Sequence, residues 1–154
     1  MRNRVQRLTS QPVMWRQLWP AAKELGLAHH TERGFAAEAY SVNPVEMQSL
    51  ELANRLALIG GYADGQLVGY MIWYLGQQFG EQESLLGRLG PWYIAKEFRR
   101  SRLGLRMADQ ATQLLASRGC RRLLWNVPAG SGAHWLQRRG AQPYEDLYLM
   151  ELPQ

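Results

Sequence analysis

Four arginines and one glycine crowd into the segment RRSRLGLR, residues 99–106. Apolar residues recur at helical spacing from Leu103 to Leu115, so the segment predicts the start of a helix. A helix start already carries unpaired N–H groups and partial positive charge, so further cations are unfavourable there unless an anion binds. We therefore interpret the segment as a phosphate-binding site, in which Gly104 lets the backbone approach a ligand closely. A solvated basic helix end is the alternative that this spacing leaves open.

The segment departs from the two common glycine-rich phosphate motifs. The chain contains neither G-x-x-x-x-G-K-[ST] nor G-x-G-x-x-G. This excludes the P-loop of nucleotide hydrolases and the dinucleotide fingerprint, so the predicted anion site rests on arginines and on one glycine.

Composition limits the kind of protein that carries this segment. The chain has 154 residues, 46% apolar and 20% charged, which predicts one globular domain over residues 1–154. The net charge of +5 favours an anionic partner, and nucleic acid, a membrane surface and a phosphate-bearing cofactor all qualify. Cys120 is the one cysteine, and the three histidines lack ligand spacing, so neither a disulfide nor a metal site is predicted. The sequence shows no signal peptide or membrane span, which predicts a cytoplasmic protein.

The N-terminal third reads as helical. Residues 11–27 have apolar residues at roughly helical spacing, and Pro20 predicts two short pieces or a kink. A second helix is expected to begin at Pro44 with Asn43 as its N-cap. Residues 26–40 are predicted to form a loop between the two.

Strands dominate the middle of the chain. Residues 56–75 predict two strands joined by a tight turn at Asp64–Gly65, and residues 85–95 predict a third strand. After the arginine segment, the helix is expected to end near Gly119, and residues 121–127 read as the next strand.

The C-terminal part predicts a short helix and a last strand. Ser131 is a plausible N-cap and Gly140 a stop for the helix, and residues 144–152 alternate as a final strand would. The strand–helix–strand passage around the arginine segment implies a right-handed crossover and locally parallel strands. The predicted fold class is therefore mixed α/β (α+β), partly antiparallel and partly parallel.

The order of elements and the arginine segment together resemble the GNAT family of N-acetyltransferases. That family places an Arg/Gln-x-x-Gly-x-Gly/Ala loop between its fourth strand and third helix, and the loop amides hold the pyrophosphate of acetyl-coenzyme A. Residues 99–104 overlay this motif: Arg99 and Gly104 match, whereas Arg102 replaces the middle glycine. The preceding strand is similar to the family's V-x-P-x-x-R ending, with Ile94 at its apolar position. The compact RRSRLGLR form looks most like phage and prophage members.

The resemblance implies an acyl-CoA N-acyltransferase-like fold with a centrally splayed sheet flanked by helices. Its N-terminal helices, about residues 11–56, would face the acceptor, and residues 57–152 would form the cofactor-binding core. Acetyl-CoA would be the co-substrate, an unspecified primary amine of a small molecule or protein the acceptor, and no metal would take part. The predicted cofactor-binding residues are Ile94, Ala95, Arg99, Arg100, Ser101, Arg102, Leu103, Gly104, Leu105 and Asn126.

The family reaction is direct attack of an amine on the thioester, which needs a proton acceptor and often uses a tyrosine as general acid. Leu136 occupies the position of that tyrosine. We name Glu83 as a candidate base and His134 as a candidate for proton transfer, and Tyr93, Tyr144 and Tyr148 are candidates for the general acid. A solvated surface carboxylate, a helix cap and a sheet-edge aromatic are the structural alternatives for these residues.

Two other functions remain open on the sequence. The altered glycine and the missing tyrosine are compatible with a non-catalytic member that binds CoA or a protein partner. A nucleic-acid-binding module is less favoured, because the arginines are concentrated at one point and no aromatic residues alternate with them for base stacking. The sequence leaves the oligomeric state open, although homodimers are common in proteins resembling this one.

Overall fold

A computed structural model describes residues 6–78, 80–128 and 133–153, with the side chains of residues 78 and 81–83 left out of the description. Five strands and four helices follow one another with two 3₁₀ turns. Their bounds are β1 Leu8–Val13, α1 Trp15–Glu32, a 3₁₀ turn Ala37–Ala39, α2 Pro44–Leu52, β2 Leu56–Ala63, β3 Gln66–Gln78, β4 Glu81–Ile94, a 3₁₀ turn Lys96–Phe98, α3 Leu103–Ser117, β5 Cys120–Leu124 and α4 His134–Gln137.

The strands form one mixed sheet in the order β1-β2-β3-β4-β5. The first four pair antiparallel, whereas β4 and β5 pair parallel through the α3 crossover. Register shifts interrupt the β3–β4 ladder between Met71 and Trp73, opposite Leu89–Trp92, so β4 is irregular where Pro91 lies. The sheet therefore has the mixed character that the sequence predicted.

Each face of the sheet buries its own apolar cluster because side chains alternate along a strand. Met71 and Trp73 point to one face, where Leu103 and Met107 of α3 pack against them. Tyr70 points to the other face and packs with Leu18 of α1. None of the helices in the described ranges is long and apolar enough to cross a membrane.

Three local signals in the sequence are confirmed. Asp64 and Gly65 both have positive φ, 49° and 85°, as the two-residue turn between β2 and β3 requires. The side chain of Asn43 accepts hydrogen bonds from the first amides of α2, and Gly119 follows α3 with φ of 89°. These turns and caps depend on neighbouring residues only, which is why the sequence reveals them.

The N-terminal prediction is wrong in three respects. α1 is one helix that continues through Pro20 to Glu32, so neither two separate pieces nor a loop beginning at residue 26 occurs. Pro20 is exposed, and burial of Trp15 and other residues of α1 on the sheet outweighs its missing N–H. Residues Leu8–Val13 form β1, which the sequence analysis missed; as an edge strand paired with β2 it tolerates its proline.

The predicted final strand is also wrong. Residues 141–153 have no regular secondary structure, and the side chains of Leu147, Tyr148 and Leu149 are exposed. Alternating apolar residues are a local signal, whereas a strand forms only where a neighbour accepts its backbone hydrogen bonds. The short helix predicted over residues 131–140 is present as α4; its proposed cap, Ser131, lies outside the described residues, and Gly140 follows the helix with φ of 87°.

Replacing Pro20 with alanine is expected to stabilise the protein. Proline lacks the N–H of a helical hydrogen bond, and its ring crowds the carbonyl of Arg16. Alanine supplies the N–H and removes the crowding, but it also raises the entropy of the unfolded chain. We expect a net gain of about 2 kcal/mol in the free energy of unfolding. Urea denaturation of Pro20→Ala and of the parent measures the difference. An unchanged or lower midpoint would mean that the helix is distorted at this residue.

Candidate active site

β4 and β5, the last two strands in the order of the sheet, separate part of the way along β4. Their last paired residues are Arg88 and Leu124, after which the Leu89–Ile94 part of β4 has β3 as its only strand neighbour in the described chain. At the start of this gap, Asn126 Nδ2 donates to the carbonyl of Leu89 at 3.0 Å. The divergence leaves backbone groups on one side of β4 open, and it matches the splayed sheet that the resemblance implies.

Four tryptophans pack at the gap: Trp73, Trp92, Trp125 and Trp135. The rings of Trp73 and Trp125 meet edge to face with centroids 4.7 Å apart, and those of Trp125 and Trp135 at 5.5 Å. The Nε1 atoms of Trp73 and Trp92 are buried without a hydrogen-bond partner in the described residues. A buried donor without an acceptor is costly, so a carbonyl or phosphate entering here would satisfy it.

The first turn of α3 has open amides. Ser101 Oγ accepts from the amide of Leu103 at 3.2 Å, and no acceptor exists in the described residues for the amides of Gly104 and Leu105. A Cβ on Gly104 would lie 3.3 Å from Ile94 Cδ1. The helix start is therefore packed tightly against β4 and presents two free donors beside it.

The four arginines of this segment divide into two pairs. Arg99 Nη2 binds Glu32 Oε2 at 2.5 Å, and Arg106 Nη1 donates to the carbonyl of Leu8 at 2.6 Å. Arg100 and Arg102 are exposed, and their side chains make no hydrogen bond or ion pair within the described part of the chain. Arg99 and Arg106 therefore make contacts within the protein, whereas the side chains of Arg100 and Arg102 are free to contact a ligand.

The backbone of the β4 end is only partly open. Ala95 donates its N–H to the carbonyl of Val68 at 2.8 Å, and its own carbonyl accepts from the amide of Phe98. Because successive residues of a strand point their polar groups to opposite sides, the N–H of Ile94 points away from β3 and towards the gap. Of the two predicted backbone donors, Ile94 is available and Ala95 is not.

A polar cluster adjoins this loop from the opposite face of the sheet. We call it the α1–β4 cluster, and it consists of His29, Glu32, Tyr70, Tyr93 and Arg99. Tyr93 donates its hydroxyl to Glu32 Oε1 at 2.7 Å, and Arg99 binds the other carboxylate oxygen. His29 Nδ1 lies 3.0 Å from the hydroxyl oxygen of Tyr70, and its ring stacks on Tyr93 with centroids 5.1 Å apart. The C-terminal turn of α1 is thereby tied to β3, β4 and the arginine loop.

The electrostatics of the α1–β4 cluster keep its histidine neutral and its carboxylate charged. Burial, and next the charge of Arg33, lower the pKa of His29, against a smaller opposing effect of Glu32. Hydrogen bonds from Arg99 and then from Tyr93 lower the pKa of Glu32. Burial raises the pKa of both Tyr70 and Tyr93, so both keep their protons. At neutral pH the cluster therefore contains an unprotonated imidazole beside two neutral phenols.

The three predicted catalytic residues, Glu83, His134 and Tyr148, are not members of the α1–β4 cluster. Glu83 belongs to β4, but its side chain is outside the described part of the structure. His134 is exposed at the first residue of α4, and Tyr148 is 89% exposed in the C-terminal segment. Leu136, at the position of the family tyrosine, is buried. The roles given to Glu83, His134 and Tyr148 stay predictions.

The sequence analysis missed His29, Glu32 and Tyr70. His29 and Glu32 are three residues apart, which places them on one face of a helix. That signal was hidden because residues 26–40 were read as a loop. Tyr70 sits in the middle of an apolar strand and carries no polar pattern of its own, so only tertiary structure reveals its role.

A broad cavity of about 1130 Å³ is lined by residues of β4, β5, α4 and the C-terminal segment. Its walls include Leu124, Asn126, Leu136 and Tyr144, and none of the loop residues 94–105 borders it. The cavity is therefore separate from the arginine loop. The described residues contain no group of three or more His, Cys, Asp or Glu side chains able to hold a metal ion.

Comparison with known proteins agrees with this geometry. Residues 15–140 match the sequence model described as the Acetyltransferase (GNAT) family, which spans most of the chain. The chain belongs to this family, and its enzyme class is that of the N-acetyltransferases. No curated protein matches the sequence.

Solved structures share the fold at low sequence identity. An aminoglycoside acetyltransferase from an uncultured soil metagenomic sample superposes with a TM-score of 0.73 at 18% identity, covering 96% of this chain and 98% of its own. Ribosomal-protein-alanine N-acetyltransferase from Brucella melitensis biovar Abortus 2308 superposes with a TM-score of 0.67 at 17% identity, covering 96% of this chain and 100% of its own. Glucosamine-6-phosphate N-acetyltransferase from Arabidopsis thaliana superposes with a TM-score of 0.70 at 10% identity, covering 96% of this chain and 99% of its own. The predicted fold class is confirmed.

The burial of His29 predicts a pH dependence of stability. Its folded-state pKa lies below the ordinary value of 6.5, so the unfolded chain takes up this proton first as pH falls. The free energy of unfolding should therefore decrease as pH drops through 6.5 towards the folded pKa, and the effect should level off below it.

Urea denaturation of the parent and of His29→Gln, at about pH 7.5 and about pH 5.5, isolates this contribution, because the variant lacks the titrating group. The free energy of unfolding should change less between the two pH values in the variant than in the parent. Equal differences in both proteins would contradict the lowered pKa of His29.

Proposed function

We propose that the protein transfers the acetyl group of acetyl-CoA to a primary amine. The observation that carries this proposal is the start of α3, where the free amides of Gly104 and Leu105 lie next to two unpaired arginines and the open side of β4. Helix-terminal amides and guanidinium groups are the donors that a pyrophosphate requires. Few other ligands need this donor set at the end of an open strand.

The described residues fit a coenzyme A thioester in three ways. Gly104 keeps the helix start clear of a side chain, Ile94 offers an N–H towards the gap, and Trp92 Nε1 is a buried donor without an acceptor. Arg100 and Arg102 would bind the phosphates, because Arg99 and Arg106 are already engaged. Ser101 and Leu103 support the loop through the Ser101 hydroxyl, and Asn126 bridges to β4.

Acetyl-CoA supplies an activated acyl carbon, and the protein has to bring an unprotonated amine to it. The open side of β4 runs from Leu89 to Ile94, and its free backbone groups can bind the pantetheine arm and, farther from Gly104 along the strand, the thioester carbonyl that gains charge during the reaction. The altered middle glycine of the loop motif, Arg102, acts here as the helix N-cap with its backbone in an ordinary conformation, so it needs no glycine.

The proposed acceptor is a primary amine, and the names of the similar structures suggest which chemical classes to test. The similar structures are named for aminoglycosides, for a ribosomal-protein alanine and for glucosamine-6-phosphate. These names define three chemical classes of acceptor: a polyamine sugar, a peptide N-terminus and a phosphorylated amino sugar.

Removing either unpaired arginine is expected to weaken coenzyme A binding. Arg100→Ala and Arg102→Ala should each raise the dissociation constant about tenfold, because a charge-assisted hydrogen bond contributes about 1.5 kcal/mol or more. Isothermal titration calorimetry with CoA measures this, and pantetheine, which lacks the pyrophosphate, should bind all variants equally.

Arg16→Ala is the matched control. Arg16 is exposed near the start of α1, about 24 Å along the helix from Glu32, so its removal changes the net charge equally without touching the loop. Affinity for CoA should be unchanged in this variant. Equal affinities for CoA in the parent and all three variants would mean that the phosphates do not bind at this loop, and would contradict the proposed site.

A panel of amines tests the reaction itself. Kanamycin, glucosamine-6-phosphate and a peptide beginning with alanine represent the three classes, and thiol release from acetyl-CoA reports transfer. We expect acetylation of at least one class, abolished when Gly104→Trp fills the space beside Ile94. CoA binding without transfer to any amine would favour a non-catalytic family member instead.

A further inference from the structure

The α1–β4 cluster adjoins the end of β4. Tyr93 immediately precedes Ile94, whose carbonyl accepts a hydrogen bond from Arg99 Nε at 2.7 Å. The guanidinium of Arg99 also lies over the ring of Tyr93, 5.2 Å from its centroid. The cluster is therefore fixed to the open part of β4, along which the proposed function places the pantetheine arm and the thioester, on the face covered by α1.

His29 is held in place within this cluster from two directions. Its Nδ1 atom is paired with the Tyr70 hydroxyl, and its ring lies nearly parallel to that of Tyr93, at an interplanar angle of 22°. The Nε2 atom, on the far side of the ring from Tyr70, has no hydrogen-bond partner in the described residues, and His29 is only half-buried. An imidazole with one nitrogen anchored and the other open is able to accept a proton.

Glu32 is less suited to this task. One carboxylate oxygen accepts from Tyr93 and the other binds Arg99, so both of its oxygens are engaged. Its role is to hold Tyr93 and Arg99 in place against α1. Tyr93 in turn supports the ring of His29.

We infer that His29 is the proton acceptor for the amine substrate, with Tyr70 as the positioning residue that fixes its tautomer. This inference rests on the proposed function. When Nδ1–H donates to the Tyr70 oxygen, Nε2 carries the lone pair that removes a proton from the incoming ammonium group.

The reaction then balances. The ammonium group loses one proton to His29, and its nitrogen lone pair forms a bond to the thioester carbon. The carbon–sulfur bond breaks, the thiolate takes the second proton from the nitrogen, and the amide is left. His29 returns its proton to solvent, so the net products are the amide, the free thiol and one proton.

The charged and titratable groups around His29 favour its neutral form. They come from α1, from β3 and β4, and from the loop after β4: His30, Glu32, Arg33, Tyr70, Tyr93 and Arg99. The cations outnumber the single carboxylate, and the two tyrosines stay neutral. His29 is therefore unprotonated at neutral pH, as a base must be before the amine binds.

The test compares His29→Gln with His30→Gln over a range of pH. His30 is next to His29 on α1, but its Nε2 atom lies 3.0 Å from the carbonyl of Ala36, so it serves as the control. With the amines of the panel and acetyl-CoA, His29→Gln should lower kcat about 100-fold, leave CoA affinity measured by calorimetry unchanged, and regain rate at high pH, where the amine loses its proton unaided. His30→Gln should match the parent.

Two further readouts separate a base from a structural residue. NMR titration of the His29 ring in the free protein should give a pKa below 6.5, and a higher value would overturn the inference because the ring would be protonated. Tyr70→Phe should lower kcat about tenfold with little change in KM, since it removes only the tautomer-fixing bond.

The outcomes also distinguish the two proposals. If the parent acetylates an amine and His29→Gln does so at the same rate with the same pH profile, the inference fails and the proposed function stands. If the parent acetylates no amine, the proposed function fails and the inference fails with it.

Discussion

The separation of β4 from β5 is the constraint on which the rest of the site depends. A strand with a neighbour on each side normally has both edges hydrogen-bonded, but β4 loses its neighbour β5 after Arg88. The open segment Leu89–Ile94 is kept in place by β3 on one side and by aromatic packing at the gap on the other. A strand that is rigid yet unpaired on one side can receive an extended ligand as if the ligand were another strand.

The start of α3 depends on the same divergence. Because β4 continues past the end of β5, the loop after Ile94 brings the helix start against the open strand, with Gly104 at the closest approach. A helix start with several arginines is unfavourable on its own, and the structure relieves part of this by pairing Arg99 with Glu32 and Arg106 with Leu8. The charge that remains unpaired, on Arg100 and Arg102, is concentrated where an anion would be most stable.

The C-terminal turn of α1 supplies the other half of the site. Its last residue, Glu32, reaches both β4 and the arginine loop, so α1, the sheet and the loop hold one another through a single carboxylate. One face of the sheet thus packs against α3, whose start is proposed to bind phosphates, and the other carries His29 and the two tyrosines. In the proposed function, this division would let the two substrates approach one carbon from different sides.

The sequence by itself determined the features that depend on near neighbours: the Asp64–Gly65 turn, the Asn43 cap, the amphipathic α3 and the arginine loop with its family resemblance. It also predicted most of the sheet, because buried strands are apolar along their length. Only the tertiary structure decided that Pro20 stays within a helix, that residues 144–152 remain unpaired, and that Arg99 pairs with Glu32. These outcomes depend on packing and hydrogen-bond partners that are far apart in the chain, and local patterns carry no information about such partners.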